Sequence, residues 1–240
     1  MQLQRIAIAP SQVRGNTISL TPHQQHYLYR VLRCQRRDRF IAMDGGGNWW
    51  LSQLTGDSQA EIVEFLDANN ELPVAVTLAA AMPKGSGFEE IVRYSTELGV
   101  TRIVPLQSDR TLLQPSAKKR QRWQRIAAEA AEQSERQMIP EITEPLSLAA
   151  YCSTVSDTIA ISHRLVAVAR ADVPHLAEMI PVSGEIAIAT GPEGGWCDRE
   201  TICFQEYHFQ PVSLGKRILR AVTAPLVALS AIAAACESGK

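Results

Sequence analysis

The sequence lacks any long hydrophobic run. No apolar stretch in its 240 residues reaches the about 18 consecutive residues that a membrane-spanning helix requires. The opening residues, MQLQRIAIAP, also lack the charged and apolar blocks of a secretory signal. A hydrophobic content of 45% and a charged content of 20% are ordinary for a folded, water-soluble protein. We therefore expect a cytoplasmic protein without a membrane partner.

The sequence has few cysteines, and they are scattered along the chain. The five stand apart, without a Cys-x-x-Cys pattern, at Cys34, Cys152, Cys197, Cys203 and Cys236. An odd, scattered set argues against a disulfide framework and against a zinc site, and it fits a reducing compartment. His23 and His26 have no further cysteine or histidine group to complete a metal site. We predict no metal.

The chain has little net charge, −1 at pH 7, but its cations are unevenly distributed. Five arginines follow His26, with one acid, Asp38, among them: Arg30, Arg33, Arg36, Arg37 and Arg39. A second basic stretch covers residues 118–125. Binding to nucleic-acid phosphates depends on local clusters of cations more than on net charge. Each stretch is either an RNA-binding surface or a solvated face, and the pattern alone favours neither.

Short strands and turns alternate in the first 70 residues. The pattern predicts strands at residues 4–9, 17–20, 39–43, 49–54 and 60–66, and a turn at Asp44–Gly47. A helix over residues 24–32 is expected to be capped by Thr21, with Pro22 at its first position. Several short strands with one helix indicate a small β-barrel. We predict a first domain at 1–70, followed by a polar linker that ends at Pro73.

From residue 74 onward the pattern changes to alternating strands and helices. Apolar runs predict strands at Val74–Ala81, Arg102–Leu106, Thr158–Ile161 and Glu185–Thr190. Helical periodicity predicts helices at 87–98, with Gly99 as a stop, and at 117–136. Such alternation is typical of a mostly parallel sheet that helices cover on both faces. We predict an α/β domain at 74–240.

Two segments of this second domain indicate a ligand site. Gly191-Pro192-Glu193-Gly194-Gly195 follows a buried strand, at the end where parallel sheets bind ligands. Leu214-Gly215-Lys216-Arg217-Ile218-Leu219-Arg220 leads into an Ala/Leu-rich helix that runs to about Cys236. Thr223 is predicted to cap that helix, with Pro225 in its first turn. Taken alone, the first segment could also be a plain tight turn.

The two segments together resemble the SPOUT superfamily of knotted methyltransferases, and the whole chain resembles its RsmE family. Further matches are His26-Tyr27-Leu28, Asp44–Gly47, Lys84-Gly85, residues 96–100, Arg122-Trp123 and residues 129–134. The resemblance implies a PUA-like β-barrel before a trefoil-knotted α/β domain, and a homodimer. It implies methylation of uridine N3 in 16S rRNA of the small ribosomal subunit, with S-adenosyl-L-methionine as the cofactor.

Carried over from the resemblance, the cofactor site comprises residues of the two segments and of one preceding strand: Ile161, Ser162, Gly191, Glu193, Gly195, Leu214, Gly215, Ile218 and Leu219. Arg220 is the expected catalytic residue, because a cation would stabilise charge on the uracil oxygens, and Glu193 is a possible proton acceptor. Arg5, Arg30 and Arg33 are expected to bind RNA.

The sequence departs from the family pattern at Val222, where the resemblance leads us to expect a glutamate. This leaves two alternatives open. One is an RNA-binding protein that has kept the fold and lost turnover. The other is a sibling SPOUT enzyme with a different RNA target.

Overall fold

The computed structural model describes residues 3–111, 115–158, 160–181 and 183–238. These residues form two compact units. The N-terminal unit contains residues up to Glu71 together with 128–139, and the C-terminal unit contains 72–127 and the chain from Pro140. The division into domains 1–70 and 74–240 stays a prediction. Within the described ranges, no helix is both long and apolar enough to span a membrane.

The N-terminal unit is built on one six-stranded sheet. Its strands, in the spatial order β1-β4-β5-β6-β3-β2, pair antiparallel except for β1 with β4. Their bounds are β1 (Arg5–Ala7), β2 (Val13–Arg14), β3 (Thr17–Ser19), β4 (Arg39–Met43), β5 (Trp49–Gly56) and β6 (Gln59–Leu66). Ile18, Leu28, Phe40 and Leu54 are buried in its core. The prediction of short strands around one helix is confirmed.

The helix of this unit, α1 (Pro22–His26), begins as the sequence predicts. The Oγ1 of Thr21 accepts a hydrogen bond from the Gln24 N–H (3.3 Å), and the side-chain oxygen Oε1 of Gln24 accepts one from the Thr21 N–H (2.8 Å). This capping box satisfies two backbone donors that a helix start leaves free. The chain continues as a π-helical turn, Tyr27–Val31, and leaves it through Arg33 at a positive φ of 57°.

A second chain segment, 128–139, completes the N-terminal unit, which no sequence pattern indicated. The carboxylate of Glu132 accepts the backbone N–H of Ala7. The carboxylate of Glu71 pairs with the buried guanidinium of Arg136 and accepts the N–H groups of Gln137 and Met138. The unit is therefore assembled from two pieces of the chain that are distant in sequence.

The C-terminal unit contains a parallel sheet, as predicted. Its strand order is β10-β8-β7-β12-β11-β13, with β9 beside β8, and every pair is parallel. The strands are β7 (Val76–Ala81), β8 (Arg102–Gln107), β9 (Glu141–Ile142), β10 (Leu146–Ser147), β11 (Ile161–Val168), β12 (Glu185–Thr190) and β13 (Gln210–Ser213). The helices are α2 (Gly87–Glu97), α3 (Ala117–Gln133, which continues into the N-terminal unit), α4 (Leu148–Asp157), α5 (Leu176–Met179), α6 (Asp198–Glu206) and α7 (Thr223–Glu237).

Helices cover both faces of this sheet. Ala187 and Ala189 of β12 face a core that includes Tyr151 of α4 and Phe204 of α6. Because strand side chains alternate, the even-numbered residues of β12 lie on the opposite face. α7 contacts β12 and packs against α2, and it contributes no described residue to the core around Tyr151 and Phe204, so we place it on this opposite face. The trefoil knot does not follow from the order of the strands and stays a prediction.

Two local predictions in this unit are wrong. The strand expected at Thr158–Ile161 begins at Ile161, because α4 runs to Asp157 and the Thr158 hydroxyl still bonds the Thr154 carbonyl (2.9 Å). Thr223 does not cap α7 with its side chain. The carbonyl of Arg220 accepts its N–H instead (2.9 Å), so a backbone turn precedes the helix. Pro225 lies in the first turn, as predicted.

Candidate active site

Three loops of the C-terminal unit follow strands at the same, carboxyl end of its sheet. They are residues 82–86 after β7, the GPEGG loop (191–195) after β12, and the LGKRILR loop (214–220) after β13. The backbone N–H of Lys84 bonds Oε1 of Glu193 (3.2 Å), which joins the first two loops. A Cβ placed on Gly87 would lie 2.9 Å from the side chain of Val222, so the residues just after the third loop lie against the start of α2.

Side chains outside the GPEGG loop hold its far end in place. The guanidinium of Arg110, in the segment after β8, donates to the carbonyl oxygens of Gly194 and Gly195. The indole N–H of Trp196 donates to the carbonyl of Ala167 (3.0 Å). The Trp196 ring also packs on Phe204, with ring centroids 4.9 Å apart. The loop is therefore fixed to the neighbouring strand ends and to the core.

A buried carboxylate adds a second anchor. Glu200 is 4% exposed, and its two oxygens accept the N–H groups of Asp109 (3.0 Å) and Cys197 (2.8 Å). Hydrogen bonds from the Arg199 guanidinium and the Cys197 thiol hold the pKa of Asp109 below its ordinary value. Asp109, Cys197 and Glu200 have the spacing of metal ligands. Since both Glu200 oxygens already accept backbone N–H groups, we assign no metal there.

The LGKRILR loop has few such contacts. Its hydrogen bonds within the described chain all run to neighbours in sequence. Gly215 bonds the hydroxyl of Ser213 through its N–H (3.1 Å), and the Arg220 carbonyl accepts the N–H groups of Thr223 and Ala224. Ile218 is 57% exposed, while Leu214 and Leu219 are partly buried. Arg220 is exposed, and no carboxylate within the described ranges pairs with it. An exposed guanidinium and an exposed isoleucine at the same end of the sheet as the GPEGG loop are suited to a ligand with charged and apolar parts.

Two glycines of the predicted cofactor site need the conformations that glycine allows. Gly195 has a φ of 69° and Gly215 a φ of 107°. A Cβ added to either would meet no atom within 4 Å, so both face open space. Positive φ and open space together let a ligand approach the backbone closely.

The structure does not bring every predicted cofactor residue to this end. Ile161 and Ser162 lie at the amino end of β11, where Ile161 pairs with Glu185 at the start of β12. The carboxyl end of β11 is Val168, which pairs with Ser213. The resemblance supplied these two residues, and they lie at the opposite end of β11 from the GPEGG and LGKRILR loops.

The predicted RNA-binding arginines lie in different surroundings. Arg5 is mostly buried, forms an ion pair with Glu135 (2.7 Å) and lies over the ring of Trp49. Arg30 and Arg33 are exposed and form no ion pair with any residue that the structure describes. The neighbouring Arg36, Arg37 and Arg39 are exposed as well. We keep Arg30 and Arg33, and not Arg5, as candidate RNA contacts.

Sequence reasoning missed three residues of this region: Arg110, Thr190 and Glu200. Glu200 stands three positions after Cys197, at the spacing of a capping box, so that pattern could have indicated it. Thr190 is the last residue of β12, and its buried Oγ1 has no partner among the described residues. A buried hydroxyl without a partner at this place is consistent with a site that a polar cofactor completes.

Comparison with known proteins identifies the family. An RNA methyltransferase domain family matches residues 70–233, and an RNA methyltransferase PUA domain family matches residues 20–65. The chain is 50% identical to ribosomal RNA small subunit methyltransferase E of Synechocystis, over 98% of this chain and 78% of that protein. It is 31% identical to the protein of that name from Bacillus subtilis, over 97% and 96% of the two chains.

A solved structure gives the same result. The Neisseria gonorrhoeae ribosomal RNA small subunit methyltransferase E bound to S-adenosyl methionine superposes with a TM-score of 0.86. The two chains are 30% identical, and the match covers 96% of each. The match therefore includes both units of this chain, with the parallel sheet and the loops at its carboxyl end. The chain belongs to the ribosomal RNA small subunit methyltransferase E family.

Proposed function

We propose that this chain methylates N3 of a uridine in 16S rRNA of the small ribosomal subunit, with S-adenosyl-L-methionine as the methyl donor. The observation that carries the proposal is the position of the GPEGG and LGKRILR loops at the same end of the parallel sheet, in a chain of this family. The absence of a membrane-spanning helix in the described ranges is compatible with action on cytoplasmic subunits.

The cofactor would be held by residues of the two loops: Gly191, Glu193, Gly195, Leu214, Gly215, Ile218 and Leu219. Their backbone groups offer hydrogen bonds, and Leu214, Ile218 and Leu219 offer apolar walls. When bound, the cofactor supplies an electrophilic methyl group on a sulfonium. The task of the loops is to hold it in line with the attacking nitrogen and to exclude water.

Arg220 is the proposed catalytic residue. As uridine N3 loses its proton, negative charge spreads to the two neighbouring carbonyl oxygens, and a guanidinium stabilises that charge. Arg220 is exposed and unpaired within the described part of the chain, so no carboxylate there neutralises it. Glu193 is the proposed proton acceptor, with one oxygen engaged by the Lys84 N–H. This assignment leaves no chemical task for a carboxylate at Val222.

We propose that the exposed arginines of the N-terminal unit bind the RNA. Arg30 and Arg33 would contact phosphates, because one guanidinium group can donate two parallel hydrogen bonds to the oxygens of a phosphate. Replacing both with glutamine should weaken RNA binding and lower its dependence on salt by about one slope unit per lost contact. Binding measured at several salt concentrations tests this, and cofactor affinity serves as the control. An unchanged slope would assign these arginines to a solvated face.

We also propose a homodimer through α7. Leu229 is fully buried within the C-terminal unit, so it is a core residue and not a surface for a partner. The partly exposed residues of α7, among them Leu226, Val227 and Ala231, are the ones that a second copy would cover. Light scattering at micromolar concentration should give twice the chain mass. A monomer would contradict the proposal.

The proposed function is tested with purified small subunits from cells that lack this protein. We expect transfer of the labelled methyl group from S-adenosyl-L-methionine to one uridine. Mass spectrometry of nuclease fragments should identify the base as N3-methyluridine. Methylation of another nucleotide would indicate a sibling enzyme. Cofactor binding without any transfer would indicate the RNA-binding alternative that Val222 raises. Deproteinised 16S rRNA, tested in parallel, shows whether an assembled subunit is needed.

A further inference from the structure

The hydroxyl of Thr190 lacks a hydrogen-bond partner. The residue is 1% exposed, and its Oγ1 bonds no atom of the described chain. An unpaired buried hydroxyl lowers stability, and a valine would fill the same space without that cost. The other buried unpaired atoms of the C-terminal unit belong to Ser95, Trp123 and Tyr151, which lie within helices α2, α3 and α4. Thr190 instead directly precedes the GPEGG loop.

Thr190 lies on the sheet face that α7 covers. It pairs with Ala80 near the end of β7. Its neighbour Ala189 faces the core around α4 and α6, so Thr190, one residue on, faces the opposite side. α7 contacts β12 and contributes no residue to the described part of that core, which places α7 on the side that Thr190 faces. The hydroxyl is therefore at the carboxyl end of the sheet, on the face that α7 covers.

The chain after β13 passes this position. It leaves the sheet at Ser213, beside Val168 of β11, and reaches α7 at Val222, which lies against Gly87 after β7. Since β11 and β12 separate β13 from β7 in the sheet, the LGKRILR loop crosses the ends of these two strands. Thr190 is the last residue of β12, so it lies directly before the GPEGG loop and under the path of the LGKRILR loop.

We infer that the hydroxyl of Thr190 forms a hydrogen bond with bound S-adenosyl-L-methionine. The inference rests on the proposed function, because it takes the same space as the cofactor site. A hydroxyl donates one hydrogen bond and accepts two, which matches the polar groups of an adenosyl or methionyl moiety. Thr190 is thus a cofactor-binding residue that adds to those on the two loops.

The test compares Thr190→Val with Thr190→Ser. Calorimetry with S-adenosylhomocysteine measures affinity, and thermal unfolding of the protein alone measures stability. Thr190→Val should weaken binding by about 3- to 10-fold, the range of one hydrogen bond, while Tm stays equal or rises. Thr190→Ser keeps the hydroxyl and should bind within about twofold of the parent. The matched control is Ser95→Ala, which removes another unpaired buried hydroxyl and should leave affinity unchanged.

The outcomes separate this inference from the proposed function. If the parent does not bind S-adenosylhomocysteine, the proposed cofactor is wrong. If the parent binds and Thr190→Val binds equally well, the proposed function stands and the role of Thr190 is overturned. A fall in both affinity and Tm for Thr190→Val also overturns it, because the hydroxyl would then have a partner within the protein.

Discussion

The two loops of the proposed cofactor site differ in how the protein holds them. The GPEGG loop is bonded by Arg110 and Lys84 and is followed by the anchored Trp196. The LGKRILR loop forms hydrogen bonds only with its neighbours in sequence among the described residues, and its Ile218 is more exposed than buried. We call the GPEGG loop the fixed side of the site and the LGKRILR loop the open side. The fixed side is already ordered before the cofactor binds, so binding costs little conformational entropy there. The open side has exposed side chains that the cofactor would cover.

This difference predicts separate effects for changes on each side. Changes on the fixed side should alter stability and affinity together. Changes on the open side should alter affinity or turnover and leave stability as it is, since the exposed side chains contribute little to the unliganded fold.

The largest expected effect is on the open side. Arg220→Ala should lower the methylation rate by about 10²- to 10³-fold, because the donor that stabilises charge in the transition state is lost. Tm and the affinity for S-adenosylhomocysteine should stay close to the parent values, since Arg220 has no ion pair within the described ranges. Single-turnover methylation of small subunits measures the rate. Arg217→Ala, an exposed arginine of the same loop, is the control.

The next largest effect is on the fixed side. Glu200→Ala should lower the free energy of unfolding by about 1–3 kcal/mol, because the N–H groups of Asp109 and Cys197 lose their acceptor. Affinity for S-adenosylhomocysteine should fall with it, since the chain after the GPEGG loop is released. Urea unfolding and calorimetry measure both. Glu206→Ala, at the exposed end of the same helix, should change neither. If Glu200→Ala kept the full free energy of unfolding but lost affinity for S-adenosylhomocysteine, the proposed difference between the fixed and the open side would be wrong.

A smaller effect is expected from Ile218→Ser on the open side. Covering the exposed half of this side chain is worth about 1 kcal/mol, so affinity should fall roughly fivefold while Tm is unchanged. Ile202→Ser removes an isoleucine of similar exposure from α6 and is the matched control. Equal affinity for the Ile218 variant and the parent would mean that the cofactor does not cover this residue.

The smallest effect is expected from Val222→Glu. If the family's glutamate at this position only oriented the neighbouring arginine, its return should change the rate by no more than a few fold. The side chain lies near Gly87 and Pro83, so a carboxylate there would be partly desolvated. The same single-turnover assay decides. An inactive parent that Val222→Glu rescues would show that the missing carboxylate was the proton acceptor, and that Glu193 was assigned the wrong role.

The sequence predicts elements best where local chemistry determines them. Thr21 and Pro22 begin a helix, and the GPEGG residues follow a buried strand, because caps and glycine turns depend on neighbours in sequence. The strand expected at Thr158–Ile161 was misplaced because a short apolar run looks alike at the end of a helix and at the start of a strand. Arg110 was missed because its partners are on a distant loop, and no local pattern records such a pair. For Glu200, the capping box with Cys197 is local, but its bond to Asp109 is not.

The return of residues 128–139 to the N-terminal unit has a consequence for synthesis on the ribosome. Glu71 emerges long before its partner Arg136, and Ala7 long before Glu132. The first 71 residues therefore cannot form their last contacts until residues 128–139, beyond the midpoint of the chain, have been synthesised. Domains made from one continuous segment fold in order as they emerge, but this unit is closed only after residue 139 has left the exit tunnel. A fragment ending at residue 71 would lack the acceptor for Ala7 and leave the Glu71 carboxylate without its guanidinium.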